Sequence, residues 1–458
     1  MGVNDIKNKA ILTWIIIFFI TIFLCIINLP TNQEKLYIDN YIVNFLSIFI
    51  IEIIIFCYSY KGKKNIYDPL YFVTIIYVLC FFVAPIYDIL IRDYFWFSVN
   101  LFEYGVKGSI VALIGFVSFY LGYNSKIKPG IKIKNKITKT SKYNYKKIAF
   151  VSIIIWLVCL IISLFYLKKA GKSFLYVLSL GSSGFDESAI SEESLGALSM
   201  FSYSLLPATM LYIECGKNKY LKIFIFIITL LIEITRGFRF IIIIQIISII
   251  VYYVIKKRKR VKIYQLFLLT VIFIFIIGLV GYTRGDMRSG NGVMLTGFSF
   301  EYCIDSVINN FRIYKTYYAV IKTVPEIVPF NYFNQIVVYS LIMTIPRAIW
   351  KSKPFPDNNV PISKGISQYA SEAGQAYPNC GEFYYSFGII GVIFFMYIFG
   401  MFSKKIYRLL SIDDPFNLIM FSLLYGSLFQ LIIRGYTPSN LWLLVFLLWP
   451  ILIVKKLD

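Results

Sequence analysis

Long apolar runs constrain this chain more than any other feature of its sequence. Two of them, "IFIFIITLLIEI" and "IIIIQIISIIVYYVI", are separated only by "TRGFRF", and similar runs recur along the whole chain. Hydrophobic residues make up 58% of the 458 residues, and aromatic residues make up 19%. Apolar runs of about 18 or more residues are typical of transmembrane helices. The sequence therefore predicts an all-α polytopic integral membrane protein.

Hydropathy predicts about twelve transmembrane helices. The predicted spans lie at roughly 10–29, 41–60, 67–87, 103–123, 148–167, 198–214, 221–235, 240–255, 264–282, 383–402, 416–433 and 440–454. When the N-terminus is placed inside, most lysine-rich loops fall on the inner side and the acidic loop "GFDESAISEES" (184–194) falls outside. This distribution follows the positive-inside rule. We therefore predict that the N- and C-termini are both cytoplasmic.

The predicted spans divide the chain into three parts. Residues 1–282 hold the first nine helices, residues 283–382 form one large external loop, and residues 383–458 hold the last three helices. The loop contains "DSVINNFRIYKTYYAVIK" (305–322), which has a helical apolar face. It also contains "FNQIVVYSLIMTI" (333–345), which is too short to span a bilayer unless it is tilted and predicts an interfacial or re-entrant helix. The long loop is therefore predicted to be partly helical.

Charge and residue usage exclude several classes of function. The net charge of +22 is explained by lysines in cytoplasmic loops, and the sequence has no zinc-finger, RNA-binding or P-loop motif, so we expect no nucleic-acid partner. Histidine is absent, which removes the commonest general base and all His-based metal sites. We predict no metal and no cofactor. Among the seven cysteines, Cys303 and Cys380 share the external loop and either pair or remain free thiols.

Arginine departs from the distribution of lysine. Eight of the eleven arginines fall on or near the predicted outer face: Arg92, Arg236, Arg239, Arg284, Arg288, Arg312, Arg347 and Arg434. Arginine grips phosphate groups in a bidentate manner and stays charged when it is partly buried. This set of arginines therefore predicts an anionic ligand, most simply a phosphate or diphosphate, near the outer leaflet.

The stretch "TRGFRF" delivers Arg236 and Arg239 to a place where charges are costly and usually functional. The span before it rises only about 20 Å as a helix, short of the roughly 30 Å hydrocarbon core. The two arginines are therefore predicted to line a wet cavity below the outer surface. A structural alternative is that Glu233, which shares a helical face with Arg236, simply neutralises it.

Further basic motifs follow on the same predicted side. In "GYTRGDMRSG" (281–290), Arg284 and Arg288 flank Asp286, and "IPRAIWKSKP" adds Arg347. The first motif alone is typical of a capped helix end with solvated charges. Because "GYTRGDMRSG" is predicted to lie on the same side as "TRGFR", we favour an anion site that the two motifs share.

The stretch "YPNCGEFYYSFGIIG" puts Glu382 at the membrane boundary among glycine and aromatic residues. A carboxylate in such partly apolar surroundings can serve as a base. An equally good alternative is a glutamate stabilised by the N-terminal dipole of a helix. Tyr377, Tyr384 and Tyr385 are candidates for sugar contacts and equally for interface aromatics.

Together, "TRGFR", the long external loop before the last three spans, "IPRAIWKSKP" and "GEFYYSFGIIG" resemble Wzy-type oligosaccharide repeat-unit polymerases, the O-antigen and capsule polymerases of bacteria. The motifs cover residues 221–400, and the topology covers the whole chain. The resemblance implies a type C glycosyltransferase-like fold in the bacterial inner membrane. It also implies that a growing glycan is transferred, at the outer face, from undecaprenyl diphosphate to a new lipid-linked repeat unit. A chain-length regulator protein is a candidate partner.

This resemblance assigns roles to the residues above. Arginines would take the electrostatic role that a metal has in many soluble glycosyltransferases, so the enzyme is predicted to be metal-independent. The predicted ligands of the diphosphates are Arg236, Arg239, Arg284, Arg288 and Arg347. Without histidine, the base that accepts the proton of the acceptor hydroxyl is predicted to be a carboxylate, with Glu382 the first choice and Asp286 the second.

Two alternatives share much of this pattern. A lipid-linked glycan ligase would use similar chemistry, but the histidine often proposed for ligases has no counterpart here. A flippase or transporter of lipid-linked oligosaccharide would place charges along a path through both leaflets and would often show two related halves. Few charges lie within the predicted spans, Glu52 being the clearest, and no internal repeat is visible.

Overall fold

The computed structural model is mostly helical. It describes residues 20–23, 27, 29–30, 33–60, 67–125, 143–169, 196–235, 239–257, 275, 278, 299–343, 345, 349–354, 360–367, 376–411 and 413–457. Seven helices in these residues are long and apolar enough to cross a membrane. The chain is therefore a multi-pass membrane protein, as predicted, and the full count of about twelve spans stays a prediction.

The helices of the first half are α1 (Lys35–Tyr60), α2 (Pro69–Leu90), α3 (Gly105–Asn124), α4 (Tyr145–Lys169), α5 (Leu205–Cys215), α6 (Lys219–Thr235) and α7 (Arg239–Lys256). Helix α2 contains a π-helical turn at Leu79–Val83, and α3 and α5 follow the 3-10 turns Phe102–Tyr104 and Met200–Ser204. A further short helix covers Gly196–Ser199. Most of these bounds lie within a few residues of the predicted spans.

The second half contains α8 (Phe300–Phe311), α9 (Tyr314–Thr323), α10 (Val360–Gly365), α11 (Asn379–Arg408), α12 (Pro415–Ile433) and α13 (Thr437–Leu457). The predicted single helix at 305–322 is in fact two helices, which separate at Arg312. The predicted short helix at 333–345 is a π-helical turn, Asn334–Tyr339, that continues as Ser340–Ile342. We call Asn334–Ile342 the loop helix. The predicted span at 264–282 lies outside the described residues, except for residues 275 and 278.

A small hairpin departs from the predicted all-α class. Strands β1 (Phe95–Trp96) and β2 (Val99–Asn100) pair in antiparallel fashion directly after α2. Asn100 Nδ2 donates to the hydroxyl of Tyr37 at 3.0 Å, which ties the hairpin to the start of α1. Hydropathy does not detect elements this short.

Helices α3 and α11 form the largest helix–helix contact among the described residues. A Cβ atom at Gly122 would collide with the carbonyl oxygen of Tyr397, and one at Gly400 would collide with the carbonyl oxygen of Phe119. Because lipid supplies no hydrophobic force between helices, close approach at small residues is a main source of their association. This contact is the centre of the helix bundle.

Helix α11 is broken near its start. Phe387 (φ −145°, ψ 24°) and Gly388 (φ 61°, ψ −144°) leave the helical conformation. The backbone N–H groups of Asn331 and Tyr332 donate to the carbonyl oxygens of Tyr385 and Ser386, at 3.0 Å each. Residues 379–386, which we call the half-helix, therefore end on the loop segment that leads into the loop helix.

Side-chain contacts define two ends of the bundle. At one end, the buried Asp68 accepts hydrogen bonds from the hydroxyls of Tyr58, at 2.6 Å, and Tyr123. The ammonium group of Lys404 lies 4.6 Å from the centre of the Tyr123 ring. We call this the Asp68 end, and it joins α1, α2, α3 and α11. The opposite end, where α11 begins, is the Glu382 end.

We predict that Gly400→Val destabilises the protein by about 2 kcal/mol, because the added side chain must push α3 away from α11. Ile393→Val on the same helix is the control, since Ile393 is 45% exposed. The measurement is the apparent free energy of unfolding in a detergent titration. Equal values for the two variants would contradict the close contact.

Candidate functional site

Glu382 is the one predicted catalytic residue whose side chain the structure describes. It lies in the first turns of α11 and is only 1% exposed. The backbone N–H of Thr437 donates to Oε1 at 3.0 Å and to Oε2 at 3.1 Å, and the hydroxyl of Thr437 donates to Oε2 at 2.6 Å. Gln335 Nε2 donates to Oε1 at 3.2 Å. The carboxylate thus joins α11, α13 and the loop helix.

These partners are all neutral. Within the described part of the chain, the hydrogen bonds to Glu382 come only from Thr437 and Gln335, and no ion pair involves this carboxylate. A buried carboxylate normally pairs with a cation, because removing a charge from water is costly. Its burial in the half-helix, five residues before the break in α11, marks Glu382 as a candidate functional group.

Tyrosines complete the surroundings of the carboxylate. Burial, followed by the nearby charge of Glu382, raises the pKa of Tyr377 well above its ordinary value. Burial likewise raises the pKa of Tyr436, whose ring centre lies 6.3 Å from that of Tyr339. These phenols therefore stay protonated. Tyr377 is 2% exposed, and Tyr384 and Tyr385 are each 4% exposed, so these three rings are part of the protein core.

Backbone contacts hold the turn between α12 and α13 against the start of α11. The N–H of Gly435 donates to the carbonyl oxygen of Tyr377 at 2.7 Å. Asn440 Nδ2 donates to the carbonyl oxygen of Arg434 at 2.6 Å. Thr437 follows directly on this turn, so its two donors are fixed in position relative to Glu382.

The contacts of α7 place its start at the same end. A Cβ atom at Gly426 would lie 2.5 Å from Ser248 Oγ and 2.9 Å from the carbonyl oxygen of Ile244, so the two helices touch there. The last residue of α7, Lys256, pairs with Glu214 beside the start of α4, where Lys147 donates to the carbonyl oxygen of Leu457 at the end of α13. Lys455 of α13 lies 3.7 Å from Asp414, which caps the first turn of α12. The end of α7 therefore lies near the start of α12, and the backbone of Arg239 lies at the opposite end, with Glu382.

The other predicted site residues are not described. Arg236, Arg284, Arg288, Arg347 and Asp286 lie outside the described residues. For Arg239, the structure describes its place at the start of α7 but not its side chain. The assignment of these residues to a diphosphate site stays a prediction. Glu233 lies in α6 and is only 1% exposed.

Arg312, one of the eight arginines predicted to lie at the outer face, belongs to a charge network around the buried Asp88. Its Nη2 lies 2.7 Å from Asp88 Oδ1, and Lys315 Nζ lies 3.2 Å from Asp88 Oδ2 and 2.9 Å from Asp93 Oδ2. The hydroxyl of Tyr314 donates to Asp88 Oδ2 at 2.5 Å, and burial, followed by Asp88, raises the pKa of Tyr314. Two acids thus balance two bases and tie the end of α2 to the start of α9.

Sequence reasoning missed the partners that define these sites. Thr437 and Gln335 were not singled out, although a glutamine in the apolar run 333–345 was a visible signal. Asp88, in the last turn of α2, was a second such signal. Cys303 and Cys380 are both buried free thiols. Among the described residues, no group of three or more Cys, Asp or Glu residues is placed to hold a metal ion. Metal independence stays a prediction.

We predict that Asp88→Asn destabilises the protein by about 3 kcal/mol, because it leaves Lys315 and Arg312 without their buried counter-charge. Asp93→Asn is the matched control. The side chain of Asp93 is 36% exposed, so its loss should cost less than about 1 kcal/mol. The midpoint temperature of unfolding in detergent measures both effects, and equal shifts would contradict the central role of Asp88.

Comparison with known proteins adds to this geometry. The family model described as O-antigen polysaccharide polymerase Wzy matches residues 10–457, which is nearly the whole chain. Neither the comparison with curated proteins nor the comparison with solved structures returns a match. The motifs around Glu382 and Arg239 lie inside the matched region. The chain therefore belongs to the Wzy family of O-antigen polysaccharide polymerases.

Proposed function

We propose that this protein polymerises undecaprenyl-diphosphate-linked oligosaccharide repeat units at the outer face of the bacterial inner membrane. The single observation that carries the proposal is family membership over residues 10–457, which implies a glycosyltransferase-type polymerase. The Glu382 end faces outward in this proposal. The lysine distribution supports that orientation and cytoplasmic termini. The lipid bilayer and a chain-length regulator protein are the proposed partners.

The proposed reaction transfers a glycan between two lipid carriers. The bond between the anomeric carbon of the growing chain and its diphosphate breaks, and the electron pair leaves with the undecaprenyl diphosphate. A hydroxyl at the non-reducing end of the new repeat unit forms the new glycosidic bond. Its proton passes to a base on the protein. The lengthened glycan then remains on the lipid of the acceptor.

Arginines hold the diphosphates in this proposal. Positive charge develops on the sugar and negative charge on the leaving group, so fixed cations beside the diphosphate lower the barrier. Arg236, Arg239, Arg284, Arg288 and Arg347 are the proposed set. The position of Arg239 at the same end as Glu382 supports a common site for anion and base.

Glu382 is the proposed base, with Asp286 as the alternative. A base must lie within hydrogen-bond reach of the proton that it accepts. The Thr437 N–H lies 3.0 Å from Oε1 and 3.1 Å from Oε2, so it orients both oxygens. Only Oε2 receives the 2.6 Å bond from the Thr437 hydroxyl, and only Oε1 receives the 3.2 Å bond from Gln335. This asymmetry favours Oε1 as the atom that would take the proton.

The glycan profile of a deletion strain tests the function. A polymerase is expected to leave one repeat unit attached while the longer rungs of the gel ladder disappear. Loss of all attached glycan, with long polymer still on its lipid carrier, would indicate a ligase instead. Lipid-linked units trapped inside the cell would indicate a flippase.

We predict that Arg236→Ala, Arg239→Ala and Arg284→Ala each lower the polymerisation rate about 100-fold, because each removes a fixed cation from the leaving diphosphate. Arg408→Ala, at the other end of α11 and exposed, is the matched control. Initial rates in vesicles measure the effect. Full-length glycan from variants that insert normally would show that the diphosphate assignment is wrong.

We predict that Glu382→Gln lowers kcat by about 100-fold or more, because the amide cannot accept the proton of the hydroxyl. Glu326→Gln, an exposed glutamate in the segment before the loop helix, is the control and should keep the full rate. A normal rate for Glu382→Gln would move the role of base to Asp286.

A further inference from the structure

We propose that the side chain of Gln335 occupies the position of the acceptor sugar hydroxyl at Glu382, so that the loop helix must shift before the repeat unit binds. The ligand is a carbohydrate that donates one hydroxyl to Glu382 Oε1 and presents others to Asn331 and Asn379. This inference rests on the proposed function and names the acceptor subsite within it.

The hydrogen bonds that Glu382 accepts from Thr437 are shorter than the bond that it accepts from Gln335. Thr437 supplies the shortest contact, 2.6 Å from its hydroxyl to Oε2, and its backbone N–H lies 3.0–3.1 Å from both oxygens. Gln335 lies 3.2 Å from Oε1. A short bond from an O–H to a carboxylate is stronger than a long bond from a neutral amide. Thr437 is therefore the fixed partner, and Gln335 is the partner that a ligand displaces at least cost.

The remaining bonds of Gln335 are also long. Its Nε2 and Oε1 atoms each lie 3.4 Å from the hydroxyl of Tyr377, and Asn331 Nδ2 lies 3.3 Å from Oε1. A sugar hydroxyl at the place of Nε2 would donate to Glu382 Oε1 and accept from Tyr377. The exchange thus preserves both contacts without leaving a buried oxygen unpaired.

Two polar atoms beside this position lack partners in the described part of the chain. They are Asn331 Oδ1 and Asn379 Nδ2, an acceptor and a donor. Asn379 lies one turn before Glu382 on the same face of the half-helix. Asn331 contacts Gln335 directly. Buried polar groups are almost always hydrogen-bonded, so this pair points to a ligand rich in hydroxyls.

The loop helix is anchored at its ends and packed on one side. Before it, the Asn331 and Tyr332 N–H groups bond to α11; near its end, Trp442 Nε1 donates to the Ser340 carbonyl oxygen at 3.2 Å. On its other side, Val337 and Val338 are exposed. Gln335 itself sits in a π-helical turn, an irregularity often found at functional sites. The middle of this element can therefore move while its ends stay attached.

Steady-state kinetics in vesicles, with the lipid-linked repeat unit as acceptor, test the subsite. Gln335→Ala is expected to lower the acceptor KM about threefold, because the group that competes with the acceptor hydroxyl is gone. Asn379→Ala is expected to raise the acceptor KM about tenfold, the loss of one hydrogen bond to the ligand. An unchanged or higher KM for Gln335→Ala, or an unchanged KM for Asn379→Ala, would overturn the proposal.

Thiol labelling gives a readout that does not depend on turnover. A Gln335→Cys variant is expected to react slowly with a membrane-impermeant maleimide and at least fivefold faster once the repeat unit is added. Ile349→Cys, at a position that is 79% exposed, should react fast in both states. An equal labelling rate at position 335 with and without the repeat unit would contradict the displacement of this side chain. Absence of polymer from the unchanged protein would instead contradict the proposed function, and the subsite with it.

Discussion

The arrangement of the site depends on one constraint: the backbone carbonyl groups at the break in α11 need hydrogen-bond donors. A helix that opens at membrane depth leaves carbonyl groups that lipid cannot hydrogen-bond. Here the N–H groups of Asn331 and Tyr332 meet those carbonyls. The same contact fixes where the loop helix begins, and so it brings Gln335 to Glu382. One backbone requirement therefore couples the segment that holds the loop helix to the helix bundle.

Asp88, Asp68 and Glu382, three of the buried carboxylates in the described part of the chain, are stabilised in different ways. Asp88 is balanced by Arg312 and Lys315, so its network is structural and has no spare charge. Asp68 takes hydroxyl bonds from tyrosines on α1 and α3, two long helices with extensive packing. Glu382 also relies on neutral donors, but one of them lies on a short element with an exposed side. The long bond from Gln335, at 3.2 Å, more than the lack of a cation, distinguishes Glu382.

The sequence predicted the long helices well because the bilayer imposes their length and composition. It did not predict the hairpin at 95–100, the break at Phe387 and Gly388, or the separation of α8 from α9 at Arg312. The hairpin is too short for hydropathy to detect, and the other two features depend on contacts between distant parts of the chain. Gln335 and Glu382 are 47 residues apart, and Glu382 and Thr437 are 55 apart. Hydropathy averages over neighbours in the sequence and carries no signal of such pairs.

The proposed site also depends on how many times the chain crosses the membrane between "TRGFR" and "GEFYY". "TRGFR" and "GEFYY" can serve one reaction only if an even number of crossings separates them. The contacts of Lys256, Lys147 and Lys455 at the opposite end of the bundle put Arg239 and Glu382 at the same end, which satisfies this requirement. The predicted span at 264–282 would supply, with α7, the two crossings that lead from one motif to the other. An error of one span in the topology would separate the arginines from the carboxylate, so their common end is a stricter test of the proposed site than either motif alone.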